Sequence, residues 1–381
     1  MQLPQVLICN TGICRGREPE YLYMQQRADL TLLGYSVQGK AHEQRYAGVR
    51  HVYPQIKPTY GIDPIHLLRR SYSCMSFAQF QGIEDVLHRS DVVVTQDPNF
   101  FTAGITSAAS RLGKPVVMVA FENVVNHSIF HSHALPYRRK MMKTIELTTR
   151  FVPQTWRAMD FLRVMGVPTE RMRVIYPGVD LMEFHPGNTE CNPVERGVRI
   201  LVVGTLTENK GIREIIEAFG QVRAARPGTL LTLVGTGPLS DWLNRESATG
   251  AVRHLHGLSA SAMADLYRNS DLFVIASKPR KALWVTIGEE QLSFALIEAM
   301  ASGLPVLSTR TGSLPEILAT GNILVEPGNS AMLAEGMLQY IDNPKLRRTV
   351  GASNAARARE RFDARKQSGA FLDYALSSKG V

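Results

Sequence analysis

Gly-Glu-Glu-Gln-Leu-Ser-Phe-Ala-Leu-Ile-Glu-Ala-Met-Ala-Ser-Gly-Leu-Pro-Val, residues 288–306, is the stretch on which the reading turns. Gly303 and Pro305 stop a helix near Ser302. Counting back, the helix begins near Ser293, whose hydroxyl suits the N-cap. Glu290 then sits in the loop before the helix, and Glu298 lies about one and a half turns inside it. Between them, the amides near Ser293–Leu296 form the positive end of the helix dipole. The arrangement offers two hydroxyl acceptors flanking an anion site, in an order that suits a sugar, a diphosphate and a ribose. The plainer alternative is two surface glutamates on a core-packed helix.

On both sides of this stretch, strand-like and helix-like segments alternate. Val6–Cys9 reads as a strand, Glu18–Leu33 as helical, and Asp91–Thr95 and Pro115–Ala120 as buried parallel strands around a helix near Phe100–Leu112. Thr155–Gly166 is helical and Arg173–Tyr176 strand-like. From Tyr176 to Gly197 the composition turns to Pro, Gly and Asn, which is linker texture. The alternation then restarts with strands at Val198–Val203, Leu230–Val234, Val252–His256, Asp271–Ala276, Leu304–Ser308 and Asn322–Val325. This predicts two doubly wound, Rossmann-like α/β domains facing a ligand cleft. Expected boundaries are 1–190 for the first and 191–362 for the second, with a C-terminal helix at about 363–381 returning to the first.

Composition narrows the partners. At 381 residues the chain suits two core-bearing domains. The longest apolar runs are of strand length, so no membrane-spanning helix is expected. The first residues lack a basic region followed by an apolar stretch, which predicts a cytoplasmic protein. Cys9, Cys14, Cys74 and Cys191 have neither framework nor metal spacing and read as reduced. The net charge is +9, and residues 1–185 carry 21 basic against 15 acidic side chains. The basic segment Tyr137–Lys143 could meet an anionic membrane surface, or could be a solvated helix face. No module for nucleic acid is visible, so none is expected as a partner.

Further glycine turns close strands. In Val203-Gly-Thr-Leu-Thr-Glu-Asn-Lys-Gly-Ile212, a strand ends at Gly204 and a helix opens near Gly211, with Lys210 beside the helix start. That suits an anion, although the spacing excludes a Walker A loop. Val234-Gly-Thr-Gly-Pro238 lacks the third glycine of a dinucleotide fingerprint.

Taken in order, these motifs resemble the retaining glycosyltransferases of the GT-B fold, family 4 (group 1). The matching pieces are Tyr176-Pro-Gly-Val-Asp180 with Phe184 and Pro186, Gly204 to Lys210-Gly211, Val234 to Pro238, His256-Gly257, and Ser270 to Ile275. They continue with Glu290 and Glu298, Ala299 to Val306, and Gly312 to Pro315-Glu316. The likeness is close over roughly 150–330 and mostly architectural before that. It implies a transferase moving a sugar from a nucleotide-diphosphate sugar to a glycan, lipid-linked or small-molecule acceptor. Glu298 would hold the ribose hydroxyls, Glu290 the donor sugar and Lys210 the diphosphate. Gly204, Thr205 and the helix-start residues Phe294, Ala295 and Leu296 would assist, and Leu255 and His256 would line the base. No metal and no cofactor are implied, because Lys210 and the amides supply the electrostatics.

The chain also departs from the family. Thr205 stands where the family usually has Arg, so Lys210 acts alone or with Arg280 or Lys281. Leu292 and Ser293 replace the usual Phe and Gly. On the acceptor side, Thr11 and Gly12 stand where a glycine-rich loop is usual. Phe121-Glu122-Asn123 stands where a His is common, His127 follows later, and Asp97 ends a strand where it could meet acceptor or cap a helix. A non-catalytic nucleotide-sugar-binding subunit and a GT-B epimerase or phosphorylase are the alternatives.

Overall fold

The computed structural model describes residues 3–10, 18–34, 50–52, 55–58, 78–81, 83–97, 100–121, 135–187, 197–246, 250–282 and 284–378. The chain divides into two compact units, Met1–Gly178 with Ala364–Val381, and Val179–Asp363.

The first unit runs β1 (Gln5–Asn10), α1 (Glu18–Met24), β2 (Asp29–Gly34), β3 (Arg50–Val52), β4 (Gln55–Pro58), β5 (Ala78–Gln81), α2 (Glu84–Arg89) and β6 (Val92–Gln96). It continues with α3 (Phe100–Arg111), β7 (Val116–Ala120), α4 (Leu135–Leu147), β8 (Arg150–Pro153) and α5 (Trp156–Val164). Six strands form one parallel sheet in the order β3-β2-β1-β6-β7-β8. β7 is buried at all five positions, as expected of a strand covered on both faces.

Two segments differ from the sequence expectation. The stretch read as one helix over Glu18–Leu33 is a helix that ends at Met24 and then the strand β2. Leu30 and Leu32 face one side of the sheet and Leu33 the other, and the whole strand pairs in register with β1. Tertiary pairing overrides the local helical pattern here. Arg173–Tyr176, read as a strand, bonds β8 from Arg173 N–H to Phe151 O and from Ile175 N–H to Pro153 O, beside an isolated bridge between Phe151 and Met172. Pro177 has no N–H to continue the pairing, and no ladder forms.

The second unit runs β9 (Arg199–Val203), α6 (Ile212–Ala225), β10 (Leu230–Val234), α7 (Ser240–Glu246), β11 (Val252–Leu255), α8 (Ala260–Arg268) and β12 (Leu272–Ile275). It continues with the hairpin β13 (Arg280–Ala282) and β14 (Val285–Gly288), then α9 (Phe294–Ala301), β15 (Val306–Thr309), α10 (Leu314–Ile317), β16 (Ile323–Val325), α11 (Ser330–Ile341) and α12 (Pro344–Arg361). Its parallel sheet has the order β11-β10-β9-β12-β15-β16. Both sheets therefore share the dinucleotide-fold strand order, with the switch point beside their first strands. A core of β9, β10 and β12 aliphatics against Ile215, Phe219 and Val222 of α6 holds the second sheet.

The last helix, α13 (Ala364–Leu376), belongs to the first unit. Phe371, Leu372 and Ala375 pack with Val6, Ile8 and Tyr21 in that unit's core. The first unit's main segment ends at Gly178 rather than 190. There the chain is pinned: Gly178 N–H donates to buried Glu20 Oε1 at 2.7 Å, and a Cβ on Gly178 would lie 2.2 Å from Ala364 Cα. One residue later, Val179 N–H bonds Phe362 O at 2.7 Å inside the second unit.

Candidate functional site

The carboxyl ends of β9, β10 and β11 are stitched together before any side chain is considered. Gly204 N–H donates to Val234 O, Leu206 N–H to Thr236 O, and Gly235 N–H to Leu255 O, all within 3.0 Å. A Cβ on Gly235 would lie 1.9 Å from Gly204 O, so this contact requires glycine. The loop from Gly204 leads past exposed Thr205 into a short turn, Glu208–Lys210. Gly211 closes that turn in the left-handed region, at φ 67°, under the carbonyl of Ala276. Lys278 N–H bonds Asn209 O at 2.8 Å, which ties the turn to the segment after β12.

This anchoring carries Lys210 to Glu290. Lys210 Nζ lies 2.8 and 2.6 Å from the two carboxylate oxygens of Glu290. Ser277 Oγ donates to Glu290 Oε2 at 2.5 Å, and Thr309 Oγ1 donates to the Ser277 carbonyl at 2.6 Å. Glu290 is 8% exposed, so its charge depends on these donors. The backbone of Glu290 is fixed as well, because its carbonyl accepts from Ser313 N–H at 3.0 Å. Lys210 itself keeps 28% of its side chain exposed. A cation with that much access can turn toward an incoming anion.

The opening stretch folds as its residues imply. Ser293 is the N-cap of α9, and its Oγ accepts from Leu296 N–H at 3.3 Å. Phe294 and Ala295, as the first helical residues, have no acceptor for their amides within the helix. Glu290 precedes the cap, and half-buried Glu298 lies inside the helix. Glu298 Oε2 accepts a 2.9 Å bond from the hydroxyl of Tyr267 on α8. Burial, reinforced by the Glu298 charge and its hydrogen bond, raises the Tyr267 pKa well above that of an ordinary phenol.

The remaining expected residues fall as follows. Leu255 is half-buried at the end of β11, and His256 is exposed beside it. The His256 ring stands edge-on to His254, whose own nitrogens meet Gly235 O at 2.9 Å and Asn244 Oδ1 at 2.7 Å. Arg280 lies over Gly288, two residues before Glu290. Lys281 is exposed on the same strand. In the first unit, Asp97 adopts φ 37° at the end of β6, and its Oδ1 accepts from Phe121 N–H at 2.8 Å. Its carboxylate therefore holds the end of β7. Thr11, Gly12, Glu122 and His127 lie outside the described residues.

Sequence reasoning did not single out Ser277, Tyr267 or His254. Ser277 follows a buried strand and reads as its ordinary end. Tyr267 sits at a core position of an amphipathic helix, so only its hydroxyl marks it.

Two family profiles match the chain. Residues 23–183 match the one described as Glycosyltransferase Family 4, and residues 191–357 the one described as Glycosyl transferases group 1. The chain is thus similar to the family 4 glycosyltransferases over residues 23–183 and to the group 1 glycosyl transferases over residues 191–357. An Anabaena HepE structure, solved with UDP and glucose, superposes with TM-score 0.74 at 16% identity. It covers 98% of this chain and 100% of that one, and at such identity it shows the fold, GT-B. Among curated relatives, the GDP-mannose-dependent monoacylated alpha-(1-6)-phosphatidylinositol monomannoside mannosyltransferase of Corynebacterium glutamicum is 30% identical over 196 residues. That match covers 47% of this chain and 49% of the relative. Spore coat protein SA of Bacillus subtilis is 26% identical, over 50% of this chain and 55% of the relative. The chain thus spans about half the length of these relatives. Among the described residues no helix is long and apolar enough to cross a membrane.

Proposed function

We propose that this chain is a retaining glycosyltransferase. It takes a sugar from a nucleoside-diphosphate sugar to an acceptor hydroxyl in glycan, glycolipid or cell-envelope polysaccharide synthesis. The observation that carries the reading is the Lys210–Glu290 ion pair, set before a capped helix start that bears Glu298 within its second turn. In this reading the donor diphosphate takes Lys210 and the amides of Phe294 and Ala295, and the ribose hydroxyls meet Glu298. Glu290 exchanges its cation for the hydroxyls of the donor sugar.

Transfer proceeds on one face of the sugar. The acceptor oxygen bonds to the anomeric carbon as the bond from that carbon to the diphosphate oxygen breaks, and the acceptor proton passes to the departing diphosphate. Lys210 and the helix-start amides stabilise the charge that builds on this leaving group, a role that needs neither metal nor cofactor. The enzyme would work in the cytoplasm, where the basic segment Tyr137–Lys143 would let it meet an anionic membrane surface or would serve as a solvated helix face. Incubation with UDP- and GDP-sugars and a panel of hydroxyl acceptors tests the reading. It expects a product with the anomeric configuration of the donor, and no product from Glu298→Ala or Lys210→Ala protein that remains folded. Normal turnover in either variant, or an inverted product, overturns it; sugar isomerisation without acceptor would instead mark an epimerase.

A further inference from the structure

Tyr267 has an environment that packing alone does not account for. Its ring is fully buried, edge-on to Phe184 with centroids 5.8 Å apart and tilted against Phe273 at 6.0 Å. The next residue, Arg268, donates to the Glu183 carbonyl at 2.8 Å and fixes the end of α8 to the Phe184 segment. A phenylalanine would fill the same space without the cost of burying a hydroxyl. That hydroxyl reaches two points on α9: Glu298 Oε2 at 2.9 Å and the carbonyl of Ala295 at 3.2 Å. One rigid group thus contacts both the first turn of the helix and the carboxylate beyond it.

We propose that Tyr267 is a positioning residue for the nucleotide. Its hydroxyl locks the Glu298 carboxylate against the first turn of α9, so that ribose and diphosphate are read at a fixed separation. The proposal rests on the reading that Glu298 meets the ribose. The phenol acts only as donor here: burial and the adjacent carboxylate both hold its proton in place. Glu298 therefore stays an acceptor, and its remaining lone pairs are oriented before the ligand arrives. Without the hydroxyl, the carboxylate would regain rotamer freedom that binding must then remove.

The test compares wild type, Tyr267→Phe, Glu298→Gln and the double variant by calorimetric titration. The probes are UDP and GDP, together with the 2′,3′-dideoxy form of whichever binds. Tyr267→Phe is expected to weaken binding of the ribonucleotide roughly tenfold, the scale of one hydrogen bond to a charged group. It should leave the dideoxy form unchanged, and its effect should be smaller in the Glu298→Gln background, where a neutral amide oxygen accepts more weakly from both the phenol and the ribose. In turnover, KM for the donor should rise with kcat little altered. Equal losses for both nucleotide forms would show a structural role and overturn the proposal, as would no loss at all. If Tyr267→Phe does not fold, Glu298→Gln, which can still accept from the Tyr267 hydroxyl, takes its place. The proposal then requires it to lose ribonucleotide affinity selectively, and an unselective loss sinks it. Failure of wild type to bind UDP or GDP removes the functional reading itself, and this proposal with it.

Discussion

Two buried glutamates, one in each unit, are held in different ways. Glu20 accepts the Gly178 amide, and its own carbonyl accepts from Ser368 Oγ at 3.2 Å, so it binds α1 to the chain beside α13. Glu290 is nearly as buried, but its charge meets a lysine side chain and a serine hydroxyl. A backbone amide cannot leave its acceptor without moving the chain. A lysine head can turn away to another anion at little cost, particularly one already partly in water. The carboxylate ends of the two sheets differ in the same manner. After β6, Asp97 bonds a backbone amide; after β12, Ser277 orients another side chain. Strand order is shared, so the difference lies in the residues beyond the strands.

Within this comparison, removing the charge of Glu290 should give the largest effect. Glu290→Gln keeps the shape and its bond from Ser277, and Lys210 can extend into solvent. Sugar transfer should fall by about two to three orders of magnitude, the scale of losing one preorganised charge contact. The melting temperature should move little, whereas loss of the fold would show that Glu290 serves structure as Glu20 does. Glu20→Ala should do the reverse. It strands a buried amide, which costs about 1–3 kcal/mol, and the melting point should drop by about 2–12 °C. Turnover per folded molecule should be preserved; a selective loss of turnover would erase the contrast.

A smaller effect is expected from Ser277→Ala, which removes one donor from Glu290 and leaves Lys210 in place. Turnover should fall roughly tenfold, in line with a hydrogen bond to a charged group. An unchanged rate would mean that Lys210 alone fixes the carboxylate. The smallest concerns Cys9, buried on β1 with its thiol pKa pushed up by desolvation. At pH 8 it should resist alkylation until the protein is unfolded, as read by mass spectrometry after limited labelling.

Much of this was legible in the chain, for identifiable reasons. The N-cap at Ser293 and the stop at Ser302–Gly303 are local chemistry, and they fall where the residues imply. The glycine turns at Gly204 and Gly235 end strands whose apolar runs are unambiguous. Partnership was not legible. Glu290 and Lys210 are eighty residues apart, and the spacing of neither names the other. Tyr267 and Ser277 look like core and strand end because what sets each apart is one hydroxyl, bonded to a glutamate distant in sequence. The strand β2 was read as helix because Leu30, Leu32 and Leu33 fit either period until a partner strand selects one.

The central claim is that the second unit holds a nucleoside diphosphate at Lys210. Calorimetric titration of wild type and Lys210→Ala with UDP, GDP and the corresponding monophosphates tests it most directly. The account predicts that one diphosphate binds wild type and loses at least tenfold in affinity in the variant, while its monophosphate is held about equally by both. A diphosphate bound equally well by both proteins would contradict it.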